Sequence, residues 1–195
     1  MHDIRPSVIA LALLALAGAG CGGSEEQHSR VEVDLAPINA LAASATQDAA
    51  SMEQHADTMT AAAGTRPELA QWRAEADTIR ANAKSLRLLA SWAEAIRHDP
   101  GARSGEPAEL ARILGDGRTL EQLGETLVAH AGAMEVHVTA MRQQAGSDPA
   151  LAGAVGQLTS DTAAMRRNGQ AAIDRGKDLQ ATARRLGLSL GQQIE

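Results

Sequence analysis

Met52, His55 and Met59 recur eighty-two positions further on as Met134, His137 and Met141, inside two copies of Met-Glu-x-His-x-x-x-Met. Thioether sulfur and neutral imidazole both ligate metals, and methionine selects soft ions, so the pattern points to Cu(I) or Ag(I). Zn(II) prefers Cys, His and carboxylate and suits the set poorly. Of the chain's six methionines, only Met1 and Met165 lie outside the two copies.

Such residues need a helix to align them. Spacings alternating three and four fall on one helical stripe. The first stripe reads Ile38, Leu41, Ala45, Asp48, Met52, His55, Met59, and the second Leu120, Leu123, Leu127, His130, Met134, His137, Met141. Both are core stripes in this reading. Each then buries imidazole or carboxylate, which costs about 1–3 kcal/mol per unpaired polar group, and a bound metal would satisfy the nitrogens. Folding the second hairpin about Ser147 sets Met165 opposite His130 and Asp161 opposite Met134, where Asp161 would orient a ligating histidine. Folding the first about Thr65 brings Trp72 level with Met59, against sulfur or a cation. The metal set is therefore Met52, His55, Met59, Met134, His137, Met141, His130 and Met165, supported by Asp48, Asp161 and Trp72. Against it stands ordinary packing, because methionine is the usual gap-filler of cores and a lone core histidine is usually just hydrogen-bonded. Trp92 reads as core, His98 as a partner of a helix C-terminus, and Glu53 and Glu135 as solvated.

The elements that carry the stripes follow from composition. Phe and Tyr are absent and alanine is abundant, which favours closely packed helices over strands. The eighty-two-residue offset also relates Leu41 to Leu123, Gly64 to Gly146, Thr65 to Ser147, Pro67 to Pro149 and Leu69 to Leu151. That is the mark of a duplicated helical hairpin. The expectation is an all-α, antiparallel four-helix bundle. Hairpin 1 covers about 37–98 and hairpin 2 about 119–187, within a domain of 35–190. Gly64, Thr65, Pro67 and Glu68 supply the first turn. The linker, 99–118, holds a short helix that ends before an Asp116–Gly117 turn, and Ser147 starts the last helix.

Ahead of the domain, an apolar run from Val8 to Ala19 precedes Cys21, the chain's single cysteine. Residues 1–20 read as a signal peptide, too short to span a membrane. The stretch Ala17 to Cys21 resembles the lipobox of bacterial lipoproteins, although Gly18 stands where that pattern prefers Leu. The resemblance implies an acylated Cys21, a flexible tether over 21–34 and a cell-envelope location. Gly22 after the cysteine resembles the pattern that directs lipoproteins to the periplasmic face of the outer membrane.

A net charge of −6 offers no basic face for nucleic acid. No enzyme is expected: the one Glu-x-x-His spacing, Glu25 to His28, falls in the tether rather than on a core face, and no nucleophile-elbow or phosphate-loop motif occurs. The chain resembles Met- and His-rich helical copper-handling proteins in ligand type alone. The functional expectation is a lipid-anchored protein that sequesters or passes on Cu(I) or silver. The alternatives are a b-type haem bundle with Met/His ligation or a structural lipoprotein without a ligand. No feature of the sequence identifies a protein partner.

Overall fold

The computed structural model describes residues 34–64, 66–98 and 107–189. The proposed signal peptide, Cys21, the tether up to residue 33, the Thr65 cap and the side chain of His98 lie outside the described residues. The described chain is a four-helix bundle: α1 (Ala36–Ala63), a short 3-10 turn (Pro67–Leu69), α2 (Ala70–His98), α3 (Pro107–Ala145) and α4 (Pro149–Ser189). The helices α1 and α2 form one hairpin and α3 and α4 the other, and the hairpins pack through α1 against α4 and α2 against α3. No described helix is long and apolar enough to cross a membrane.

The helix ends have local causes. Pro37 opens α1, where its missing N–H is not needed. At the other end, Arg73 donates to the carbonyls of Ala63 and Gly64, which the helix itself leaves unpaired. Gly64 keeps a right-handed backbone (φ −59°), whereas its counterpart Gly146 takes φ +53°. The last helix is capped by Asp148 rather than started by Ser147, because the Asp148 carboxylate accepts from the N–H groups of Ala150 and Leu151. Arg66, before the first turn's proline, pairs with Asp148 at 2.8 Å, tying the two hairpin tips together.

The expected Asp116–Gly117 turn does not exist. One helix, α3, runs unbroken from Pro107 to Ala145 and absorbs most of the expected linker. Gly117 serves packing: a Cβ there would sit 2.7 Å from the carbonyl oxygen of Gly176, and one at Gly124 would sit 2.5 Å from that of Gly169. At these two crossings α3 and α4 touch backbone to backbone, which only glycine allows.

The core is built from paired stripes seven residues apart. On α1 these are Ile38, Ala45, Met52, Met59 and Ala42, Ala49, Ala56, Ala63; on α3, eighty-two positions on, Leu120, Leu127, Met134, Met141 and Gly124, Ala131, Val138, Ala145. The repeat therefore holds in burial as well as in sequence. Each large apolar side chain removed from water contributes roughly 1.5–3 kcal/mol. The small residues opposite let the helices close in.

Candidate functional site

All five methionines of the domain are buried: Met52, Met59 and Met165 completely, Met134 and Met141 at 2–3% exposure. The histidines separate. On α1, His55 is flanked by Met52 and Met59 and keeps 18% of its side chain exposed. His130 and His137, expected in the core, are exposed, His137 at 46%. The buried face of α3 is turned one position from the expected one, so that Gly124, Ala131 and Val138 pack inward where Leu123, His130 and His137 were anticipated.

Each motif histidine bonds a carboxylate on the second helix of the other hairpin. His55 Nδ1 bonds Asp161 of α4 at 2.8 and 3.0 Å, and His137 Nδ1 bonds Glu75 of α2 at 2.6 Å. Asp161 was expected opposite Met134, and its observed bond is across the α1–α4 seam. Its side chain is 4% exposed, against 20% for Glu75. Burial pushes the Asp161 carboxyl above the usual carboxylate range; His55 counteracts this and Asp48 adds to it. With Nδ1 on Asp161, His55 Nε2 makes no hydrogen bond among the described residues, leaving that nitrogen for another partner.

A second pair continues the seam one heptad away. The Asn168 amide donates to Asp48 at 2.7 Å and to the carbonyl of Ala164. Asp48 is half-buried rather than fully so. Met165 lies on α4 four residues from Asp161 and three from Asn168, on the stretch that faces α1. On the opposite seam, the Asn82 amide donates to Met134 Sδ at 2.9 Å, engaging that sulfur inside the core. Nothing in the hydrophobic pattern identifies Asn82, Asn168 or Glu75 as partners; only pairing the helices does.

The remaining assignments also shift. Ion pairs Asp57–Arg80 and Glu53–Arg87 centre the first hairpin on about residue 69, because the 3-10 turn lengthens it, so Trp72 stands nearer the turn than Met59. Trp72 is fully buried with its indole N–H unpaired. Trp92, expected in the core, is 39% exposed. Glu53 and Glu135 are at the surface and paired with Arg87 and Arg166.

The arrangement offers one imidazole oriented by a carboxylate, beside buried thioethers. Among the described residues no three His, Cys, Asp or Glu side chains converge as a metal-binding group. Comparison with family models, curated proteins and solved structures returned no match.

Proposed function

We propose that the protein binds a soft metal ion, Cu(I) or Ag(I), at the first motif, through His55 Nε2 and the thioethers of Met52, Met59 and Met165. One observation carries the reading: the buried Asp161 carboxylate holds His55 Nδ1, the arrangement by which carboxylates orient ligating histidines. Methionines at three residues before and four after His55 share its helix face, and Met165 is on the facing stretch of α4. The second motif is less suited, since His137 is solvated and the Met134 sulfur already accepts from Asn82. In the proposal the chain acts in the cell envelope, anchored through Cys21, and sequesters or transfers the ion. That part rests on the N-terminal sequence.

The competing reading is a polar pair that fixes the register of α1 on α4, with methionines as filler. Anaerobic Cu(I) titration with thermal unfolding separates the two. A ligand at one hundred times its Kd stabilises the native state by about 2.7 kcal/mol. Wild type gains several degrees in Tm, and Met52→Leu with Met59→Leu, which nearly conserves volume, removes the gain. No gain in wild type, or an undiminished gain in the variant, refutes the proposal.

A further inference from the structure

The outer face of the second hairpin carries a groove of about 770 Å³ between α3 and α4. Three guanidiniums line it, those of Arg142, Arg166 and Arg167, in a chain whose net charge is −6. Glu135 also lines the groove, and its carboxylate holds Arg166 at 2.6 Å, so that at this end the uncompensated cation is Arg167. Arg142 and Arg167 have no ion-pair partner among the described residues, although both have carboxylate-matching forks. On α3, Arg142 lies seven residues beyond Glu135, about 10 Å along the axis at the helical rise. The groove is therefore positive at two separated points.

Its middle is different. The hydroxyls of Thr139, Thr159 and Thr162 donate to the carbonyls of Glu135, Val155 and Leu158. Their hydrogens are engaged and their oxygen lone pairs remain, so they accept from a ligand and do not donate to an anion. We propose that the α3–α4 groove binds an elongated, hydroxyl-bearing ligand with an anionic group at each end, one on Arg142 and the other on Arg167. The matching chemistry is a sugar bisphosphate or a polyol of the same charge pattern. This site is independent of the proposed metal site, whose residues face α1.

Calorimetric titration of the full chain with fructose 1,6-bisphosphate, tripolyphosphate and inorganic phosphate tests it. Expected is binding of the bisphosphate at least tenfold tighter than either of the others. Arg142→Gln and Arg167→Gln each weaken it at least tenfold, while Lys84→Gln, an exposed cation on α2, leaves it unchanged. Circular dichroism confirms that each variant is folded. Vesicles carrying anionic phospholipid form a second arm, and association with them without binding of the soluble bisphosphate overturns the proposal. So do equal affinities for all three soluble probes, an equal loss in Lys84→Gln, or no heat of binding at millimolar bisphosphate.

Discussion

His55 and His137 occupy the same position in the two copies, and each reaches from the first helix of its hairpin to a carboxylate on the second helix of the other. Yet the first pair is far more buried than the second. The difference lies in the seams: α1 packs more extensively on α4 than α2 does on α3. A short buried Asp161 meets His55 across the closer seam, whereas the longer, partly solvated Glu75 meets His137 across the looser one. Duplicated sequence thus places two imidazoles alike on their helices, and the packing between hairpins decides which has a protected environment.

The largest expected difference between the copies is in metal response. His55→Gln should abolish most of the Cu(I)-dependent rise in Tm, and His137→Gln should leave it intact. Comparing shifts rather than Tm values matters, because changing His55 also removes the partner of the buried Asp161 and lowers stability by itself. Equal losses in both variants would mean the copies act together and would remove the distinction drawn between the seams.

Methionine to leucine should sharpen the contrast without metal. Met52→Leu conserves apolar volume and costs less than about 1.5 kcal/mol. Met134→Leu also removes the acceptor of the buried Asn82 amide, adding a penalty of about 1–3 kcal/mol for an unsatisfied donor. Urea denaturation of the apo-protein measures both. A Met134→Leu variant as stable as Met52→Leu would mean that the Asn82–Met134 contact contributes nothing.

Much of this fold was legible in advance. The missing Phe and Tyr, the abundant alanine and the eighty-two-residue offset implied two helical hairpins, and α1, α2, the second turn and α4 lie close to their expected limits. Two features were not. Asp116–Gly117 has the composition of a turn, but Gly117 is in contact with Gly176 on a helix distant in sequence, and no local signal distinguishes those roles. For α3, the stripes through Leu123 or through Gly124 both satisfy a three-four alternation. Hydropathy favours leucine, while close approach of α4 selects glycine and so turns His130 and His137 outward. The methionines belong to both stripes, which is why their burial could be read and that of the histidines could not.

Asp161 allows the protected seam to be probed by pH. Burial raises its carboxyl pKa, so the folded chain holds that proton more tightly than the unfolded chain does. The stabilising effect of protonation is fully present below the unfolded value, about 3.9, and is lost as pH rises through the higher folded value. Asp161→Asn removes the buried charge and can still bond His55. Its apo-protein should match or exceed wild type in Tm at pH 7, with the gap narrowing towards pH 4, while Cu(I) affinity falls about 10–100-fold. A variant less stable than wild type at pH 7 would show that the His55–Asp161 hydrogen bond outweighs the desolvation of its carboxylate.

The smallest effect is expected where the two copies agree. Glu53 pairs with Arg87 and Glu135 with Arg166, each within its own hairpin and each at the surface. The hydrogen bond from the facing arginine is the main cause that lowers each carboxyl pKa. A lowered folded value means the contribution exists above the unfolded carboxylate pKa and disappears as pH falls through the folded one. Both pairs are open to water and salt, which screen such contacts. Glu53→Gln and Glu135→Gln should therefore give small, equal decreases in Tm at low salt, vanishing in 1 M NaCl and shrinking as pH falls below the usual carboxylate range. A marked difference between them would extend the asymmetry of the seams to the hairpin interiors. Equality would confine it to the contacts between hairpins, where His55 and His137 part company.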